Sequence, residues 1–321
     1  MRIASFISSA TEILYGLGLG DHVVGVSHEC DFPAEVKSKP KVSYTNITPE
    51  LPSVLIDRQV RELVAAGKPL YEIDVGTLID LKPDLIVTQA QCDVCAIRYD
   101  DVVSTVAADP ELAGTKIVAL NPQTLGEILA DIARVGSATG RETEAASYVA
   151  ELEARIAAVR ERTGKLPPER RKRVTCIEWI EPLMVAANWT PELVDLAGGV
   201  QTGQEHMARA GEHSRYVEWD VIREFDPEVI VVLPCGFDLD RGVREATVLH
   251  DLPGWYDTNA ARSGNVFAVD GNALFNRSGP RIVDSLELLS RLVYPQRHVD
   301  DSHATRDSAS GDGRTWQRLS L

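Results

Sequence analysis

Two apolar runs along the chain share the same flanking residues. Residues 81–87 read Leu-Lys-Pro-Asp-Leu-Ile-Val, and residues 225–231 read Phe-Asp-Pro-Glu-Val-Ile-Val. The residue before a proline is pushed out of right-handed helical geometry, so Pro83 and Pro227 each predict the end of a helix. The short β-branched run that follows each proline is typical of a strand buried on both faces. The echo predicts two related lobes.

Further short apolar runs predict the remaining strands, and helical segments separate most of them. The predicted strands cover residues 3–7, 22–27, 85–88, 115–120, 174–179, 229–233 and 265–270, and a further apolar run covers 183–187. Strands that alternate with helices at this spacing form mainly parallel sheets with helices on both faces. The predicted fold class is α/β, with a lobe of this kind in each half of the chain.

One predicted helix is long enough to join the two lobes. Residues 141–162 contain no proline or glycine, and Tyr148, Leu152, Ile156 and Val159 recur on one helical face. A helix of about 22 residues is about 33 Å long at 1.5 Å per residue. The predicted organisation is an N-terminal α/β lobe (1–140), a rigid connecting helix with its linker (141–170), a C-terminal α/β lobe (171–295) and a disordered tail (296–321).

Local signals describe the two ends of the first helix. Ser9 followed three residues later by Glu12 matches a capping box, in which a hydroxyl and a carboxylate bind backbone N–H groups. Gly16, Gly18 and Gly20 come after this helix, whereas a dinucleotide fingerprint must follow a strand. The glycines therefore predict a helix C-cap and a turn.

Composition and charge exclude several classes of protein. Hydrophobic residues make up 44% of the 321-residue chain and charged residues 25%, as in ordinary globular proteins. The formal net charge of −15 is unsuited to nucleic acid, whose phosphates need a basic face. The sequence has no run of 18 apolar residues, so membrane insertion is not expected. Residues 1–7 lead straight into the first predicted strand without an export signal, which predicts a cytoplasmic location.

Aromatic and polar side chains collect at the predicted carboxyl ends of the strands, where ligands meet open parallel sheets. The candidate ligand-binding residues are Ser8, Thr11, His28, Gln89, Gln91, Trp179, Glu181, Asn188, Trp189, Phe237, Phe275, Asn276 and Arg277. Trp179 and Trp189 fit either a ligand cleft or a core. His28 fits either an axial ligand to a bound metal or a polar loop residue. Arg277 fits either an anchor for an anionic or amide group or a salt bridge that closes the last helix onto the sheet.

The pair Cys92-x-x-Cys95 is the sharpest local signal for metal chemistry. Together with Cys30 and His28 it could form a metal or redox site, and the alternative is a pair of small buried cysteines at a turn. The sequence has no P-loop, no G-x-S-x-G elbow and no H-E-x-x-H helix. The chain is therefore predicted not to be an enzyme and to require no cofactor.

Several short motifs occur in a fixed order along residues 1–295. They are Arg2-Ile3 through Ser8-x-Ala10-Thr11-Glu12, Val24-Gly25-Val26-Ser27, Asp31-Phe32-Pro33, Leu81-Lys82-Pro83-Asp84-Leu85-Ile86, Trp189-x-Pro191-Glu192-Leu193, Ala197-Gly198-Gly199, Asp226-Pro227 and Phe275-x-x-x-Gly279-Pro280-Arg281. In their order and spacing, these motifs resemble the substrate-binding proteins of ABC importers for vitamin B12 and iron chelates, and especially the cobalamin-binding proteins.

The resemblance implies two α/β lobes joined by one rigid helix, with a corrinoid or related metal chelate held between them. The protein would act as the substrate-binding component of an importer or as a cytosolic carrier, and it is expected to be a monomer. Docking on an ABC permease is implied through an acid on each lobe, which matches Asp220 in the second lobe and Asp100 or Asp101 in the first.

Three features depart from the resemblance, and the first is the absence of an export signal before the first predicted strand. Residues 51–71, which include Arg58 and Arg61, form an insertion suited to a lid or a partner surface. Cys30, Cys92 and Cys95 are not general features of exported members of the family. They support the alternative hypothesis, a cytosolic metal-binding or redox protein on the same scaffold.

Overall fold

The apolar runs form two main sheets and one small one. The computed structural model describes residues 1–91, 96–164, 166–202, 209–298 and 314–319. The strands are β1 (Ile3–Ser5), β2 (Val23–Val26), β3 (Ser43–Thr45), β4 (Tyr71–Ile73), β5 (Leu85–Gln89), β6 (Lys116–Leu120), β7 (Lys172–Trp179), β8 (Met184–Val185), β9 (Gly199–Gln201), β10 (Arg215–Tyr216), β11 (Val229–Val232), β12 (Val266–Val269) and β13 (Trp316–Arg318).

Helices cover both faces of the main sheets. They are α1 (Ser8–Gly16), α2 (Ser53–Ala65), α3 (Val75–Leu81), α4 (Tyr99–Ala108), α5 (Leu125–Thr139), α6 (Glu142–Thr163), α7 (Thr190–Leu196), α8 (Trp219–Phe225), α9 (Leu239–Glu245), α10 (Asn259–Arg262) and α11 (Ile282–Val293). None of the helices in the described ranges is long and apolar enough to cross a membrane.

The N-terminal lobe is built on a parallel sheet of order β2-β1-β5-β6. Every residue of β5 is buried, as expected for a central strand with helices on both faces. Beside this sheet, β3 and β4 form a separate antiparallel pair. The predicted insertion therefore lies between β3 and β4, and most of it is the helix α2.

The C-terminal lobe has a mixed sheet of order β10-β8-β7-β11-β12-β13, and β9 also pairs with β7. Its centre is parallel, because β7, β11 and β12 run in the same direction, whereas β8, β10 and β13 are antiparallel to their neighbours. The fold class predicted from the sequence, two α/β lobes joined by a long helix, is confirmed.

The prediction of a disordered tail is wrong for Trp316–Arg318. This segment forms β13 on the edge of β12, and the Trp316 and Phe267 rings pack with their centroids 5.8 Å apart. An open strand edge offers unpaired backbone groups to any chain that reaches it. A composition argument misses such pairing because it considers only side chains. The exact lobe boundaries stay a prediction.

The repeated pattern around Pro83 and Pro227 has the same structure in both halves of the chain. Helix α3 ends at Lys82, which has φ 43°, and α8 ends at Asp226, which has φ 50°. Both residues precede a proline and both adopt the left-handed conformation, which ends each helix before β5 and β11. Equivalent turns therefore deliver equivalent buried strands to the two sheets.

The long helix α6 spans 22 residues, as predicted, and lies against α5 of one lobe and α11 of the other. Its Arg155 side chain bridges to α11, where it donates to Glu287 at 2.9 and 3.0 Å and also pairs with Asp284. One continuous apolar core includes buried residues of α1 and α5 together with those of α7 and α11. A shared core resists hinge motion between the lobes.

A buried charge cluster also ties the lobes together. Glu12 does not form the predicted capping box, because α1 begins at Ser8 and has no side-chain cap. Its carboxylate is 4% exposed and accepts hydrogen bonds from Arg277 at 3.1 Å and from Arg281 at 2.6 and 3.0 Å. Arg277 also donates to Asp31 at 2.6 Å. The acids belong to the N-terminal lobe and the arginines to the C-terminal lobe.

Replacing Glu12 should therefore destabilise the protein strongly. Glu12→Gln removes the charge that compensates two buried guanidinium groups, and removal of one partner from a buried ion pair costs about 3–5 kcal/mol. The matched control is Glu144→Gln, because Glu144 pairs with Arg141 at 2.7 Å on the surface. Loss of such an exposed pair should change the unfolding free energy little, because water screens the two charges. Equal unfolding free energies for the two variants in urea would contradict this account.

Candidate functional site

The loops at the carboxyl ends of the two main sheets meet between the lobes. The loop after β2 touches the loop after β12, since Asn272 donates to Asp31 at 3.2 Å and Arg277 donates to the same carboxylate. Ligands of open α/β sheets bind at this end of the strands. We call the space bounded by these loops and by those after β5, β7 and β11 the cleft.

His28 lies half-buried at the cleft and carries a neutral imidazole. Its Nδ1 is 2.9 Å from the Ser43 hydroxyl, and its ring stacks against Tyr71 with centroids 5.4 Å apart. Burial, with a smaller contribution from the nearby Lys41 charge, lowers the pKa of His28 to about 4. In the tautomer whose Nδ1–H donates to Ser43, the Nε2 lone pair is left to bind a metal or to accept a hydrogen bond from a ligand.

Glu29 lies beside His28, and sequence reasoning did not select it. Its side chain is 44% exposed, and the remaining desolvation raises its pKa to about 7. The separation of 3.8 Å between its Oε1 and His28 Nε2 is not an ion pair at neutral pH, because the imidazole is uncharged. The sequence signal that could have identified Glu29 was its position just after the strand β2, where ligand-binding residues are expected.

Trp179 is the aromatic residue that the structure leaves accessible on the C-terminal side of the cleft. It ends β7, its Nε1 donates to the Glu181 carbonyl at 3.1 Å, and it packs on Phe237 with centroids 5.3 Å apart. The Glu181 side chain is exposed beside it. Phe237 itself is buried under Trp179 and under the guanidinium of Arg241, which lies 3.6 Å above its ring. Phe237 therefore supports Trp179 instead of offering a surface.

Trp189 is a core residue, contrary to its predicted place in the cleft. It is 5% exposed, and its Nε1 donates to the Phe275 carbonyl at 2.8 Å. Phe275 is also buried, and the Asn276 amide donates to the carbonyls of Leu233 and Gly271. These three side chains fix the loop after β12, so their predicted ligand contacts are not supported by their positions.

Arg277 forms a salt bridge, as one alternative predicted, but this bridge joins the two lobes and does not close the last helix onto its sheet. Both of its acidic partners are in the opposite lobe, so its guanidinium is committed to the protein and is not an open anchor for an anion.

Several other predicted ligand residues hold loops in place. Thr11 is fully buried, donates to Ser5 Oγ at 2.8 Å and lies 3.1 Å from the Cys30 sulfur. Ser8 is also buried and donates to the Glu29 carbonyl at 3.2 Å. The buried Gln89 donates to the Ile97 carbonyl and accepts from the Gln91 backbone N–H at 2.6 Å.

Gln91 and Asn188 are partly accessible. Gln91 lies after β5 on the N-terminal side of the cleft. Asn188 has φ 51°, and its backbone pairs with Glu212 and Gly211. His28, Glu29 and Gln91 thus lie at the strand ends of one lobe, and Trp179 and Glu181 lie at the strand ends of the other.

The proposed metal site receives no support from the described residues. Cys30 is buried, and burial raises the pKa of its thiol, which disfavours the thiolate that metals require. Cys92 and Cys95 lie outside the described residues. In the described parts of the chain, no cluster of three or more His, Cys, Asp or Glu side chains is arranged to hold a metal ion.

The predicted docking acids lie on the surface. Asp220 is in the first turn of α8 with 70% of its side chain exposed, and it pairs with Arg223 at 2.9 Å. Asp100 and Asp101 are in the first turn of α4. Contact with a permease stays a prediction for all three.

Comparison with known proteins identifies the family. The family model described as periplasmic binding protein matches residues 3–273. The chain belongs to this family. It is 25% identical over 297 residues to the uncharacterized ABC transporter substrate-binding lipoprotein YvrC of Bacillus subtilis, which covers 92% of this chain and 80% of YvrC. It is 34% identical over 93 residues to the vitamin B12-binding protein of Vibrio parahaemolyticus, which is 25% of this chain and 34% of that protein.

The fold also matches a solved structure. The periplasmic heme-binding protein RhuT from Roseiflexus sp. RS-1 superposes with a TM-score of 0.69 and 22% identity, over 92% of this chain and 98% of RhuT. Periplasmic binding proteins are not enzymes and require no cofactor, in agreement with both predictions.

The predicted cytoplasmic location is wrong. The matched proteins are extracytoplasmic, since YvrC is a lipoprotein and RhuT is periplasmic. The prediction rested on residues 1–7, but these residues supply β1, which is buried in the first sheet. They therefore report on the fold and carry no information about the compartment.

The two tryptophans should respond differently to truncation. Trp189→Ala opens a cavity in the core and removes the hydrogen bond to Phe275, so we expect a loss of about 3–5 kcal/mol in unfolding free energy. Trp179→Ala, the matched control, should lose much less because its ring is partly exposed. Urea unfolding of both variants measures the difference. A smaller loss for Trp189→Ala than for Trp179→Ala would contradict the placement.

The raised pKa of Glu29 predicts a pH-dependent stability. The folded protein holds the Glu29 proton up to about pH 7, whereas the unfolded chain releases it near its ordinary pKa of 4.5. Stability is therefore lost as the pH rises through this window, and Glu29→Gln should abolish that loss. The thermal midpoints of the wild type and Glu29→Gln should coincide near pH 4. Near pH 8 the midpoint of the variant should be higher, by a small amount because the carboxyl is partly exposed. Glu181→Gln controls for the loss of one negative charge, and parallel curves for wild type and Glu29→Gln would refute the assignment.

Proposed function

We propose that this protein binds a corrinoid, or a closely related metal chelate, between its two lobes and presents it to the permease of an ABC importer. The importer role follows from its family and from its 92% coverage by an ABC transporter substrate-binding relative. The choice of chelate rests on the cleft. The relatives leave both vitamin B12 and haem open, because one binds each.

The observation that favours a corrinoid is the pairing of Arg277 and Arg281 with acids of the opposite lobe. Haem carries two carboxylate groups, which need cationic or strong hydrogen-bond donors when desolvated. Arg277 and Arg281 already neutralise Glu12 and Asp31, whereas the accessible acids Glu29 and Glu181 offer no positive charge, and Glu29 is only partly ionised near neutral pH. The rim of a corrin ring carries neutral amides, which can donate to these carboxylates and pair with Gln91.

His28 and Trp179 suit the two other requirements of a flat metal chelate. The neutral imidazole can give its Nε2 lone pair to the metal, since its pKa is lowered to about 4. Trp179 offers an aromatic face on the opposite lobe, supported from below by Phe237. We propose that the macrocycle lies between these two side chains.

Titration calorimetry with aquocobalamin, haemin and a ferric siderophore tests the ligand. Aquocobalamin is chosen because its axial water can exchange for an imidazole. We expect corrinoid binding to be stronger than haemin binding. No corrinoid binding at ~100 μM, which corresponds to an affinity weaker than about 5.5 kcal/mol, would exclude this ligand. Stronger binding of haemin would replace the proposal with haem transport.

The roles of His28 and Trp179 can be separated by spectrum and affinity. His28→Ala should abolish the shift in the aquocobalamin absorption spectrum that ligation by imidazole produces. Trp179→Ala should keep the shift but weaken binding at least about tenfold, or about 1.4 kcal/mol, because a stacking surface is lost. Trp316→Ala, far along the chain on β13, is the control for loss of an exposed indole. A shift retained in His28→Ala would remove His28 from the metal.

A further inference from the structure

The insertion between β3 and β4 crosses from the N-terminal lobe to the C-terminal lobe. We call residues 46–65 the strap; they comprise a loop and the helix α2. The loop folds back on its own base, where Asn46 bonds to Leu70 and Pro69, and Gln59 bonds to Thr48. Beyond this base, the strap reaches α9 and β10 of the opposite lobe.

Two polar attachments hold the strap to the C-terminal lobe. In the first, Arg241 of α9 donates to the carbonyls of Pro49 and Leu51, the latter at 2.5 Å, and Glu245 accepts from the Ser53 backbone N–H at 3.1 Å. These residues are about 190 positions apart in the sequence, so the contacts are purely tertiary.

The second attachment lies one turn further along α2. The Tyr216 hydroxyl donates to Asp57 at 2.7 Å. Arg61 pairs with Asp57 and lies over the Tyr216 ring at 5.8 Å. Tyr216 is itself exposed, so water competes for this contact.

The strap lacks the apolar anchor of an ordinary surface helix. Of the 13 residues of α2, Ser53 and Ile56 are buried, whereas Val54 and Val64 are exposed. Closure even leaves the buried Ser53 hydroxyl without a hydrogen-bond partner. Helices are normally fixed by an apolar face, so a helix held by a few polar contacts is easily released.

The first attachment also reaches the cleft. Arg241, which holds the strap, lies 3.6 Å above Phe237, and Phe237 supports Trp179. The lobes themselves share one core and a buried charge cluster, so they cannot separate widely to admit a bulky ligand. Moving the strap, which is held by a few polar contacts, should therefore require less free energy than separating the two lobes.

We propose that residues 46–65 are a latch that closes across the cleft and opens as a unit when the contacts of Tyr216, Arg241 and Glu245 break. The latch would control how fast a ligand enters and leaves. This control of ligand exchange rests on the function proposed above, whereas opening of the strap does not.

Hydrogen exchange of the ligand-free protein tests the opening directly. Tyr216→Phe removes one hydroxyl, and loss of one hydrogen bond should speed exchange of the α2 amides about three- to tenfold, all together. Tyr256→Phe is the matched control, because Tyr256 is an exposed tyrosine of the same lobe. Unchanged exchange in Tyr216→Phe, or acceleration in Tyr256→Phe as well, overturns the latch.

Stopped-flow binding of aquocobalamin tests whether the strap controls the rate of ligand exchange. Tyr216→Phe should raise the association and dissociation rates by similar factors and leave Kd nearly unchanged. Faster hydrogen exchange of α2 together with an unchanged association rate would show that opening of the strap does not control ligand entry. The strap would then be better explained as a contact surface for a partner. If no chelate binds the wild-type protein, the proposed ligand fails, while the exchange experiment still decides whether the strap opens.

Discussion

The ion cluster of Glu12, Arg277 and Arg281 is the constraint on which the rest of the site depends. Burying a charge is unfavourable unless it is paired and hydrogen-bonded, and here two guanidinium groups share one buried carboxylate, with Asp31 as a further partner. Because the acids and the arginines come from different lobes, the pairing is satisfied only in one relative position of the lobes. The loops after β2 and β12 are thereby brought together, and His28 and Glu29 follow from that position.

The same cluster determines the electrostatics of the cleft. It pairs Arg277 and Arg281 with acids of the opposite lobe, and among the described residues Glu29, Glu181 and the neutral imidazole of His28 stay accessible. Desolvation then acts in opposite directions on neighbouring side chains. It raises the pKa of Glu29 to about 7 and lowers that of His28 to about 4, since in both cases it disfavours the charged form. Near neutral pH the His28 imidazole is therefore uncharged and the Glu29 carboxyl is only partly ionised.

Rigidity and access are divided between different parts of the molecule. The helix α6, the shared core and the ion cluster keep the two lobes in one relative position. Such a frame cannot open widely for a ligand of macrocycle size. The strap, attached by hydrogen bonds and exposed over most of its helix, is the part that we propose moves.

The sequence by itself determined the local elements and the family. Pro83 and Pro227 ended helices where predicted, and the spacing of Leu152, Ile156 and Val159 defined α6, because these signals depend on residues close together in the chain. Tertiary structure decided what the loops do. Whether Trp189 fills the core, whether Arg277 pairs with Glu12, and whether the tail adds a strand to β12 all depend on residues far away in sequence. A side chain at the end of a strand can face a cleft or a core with equal local propensity, and only the packing of the opposite lobe selects between them.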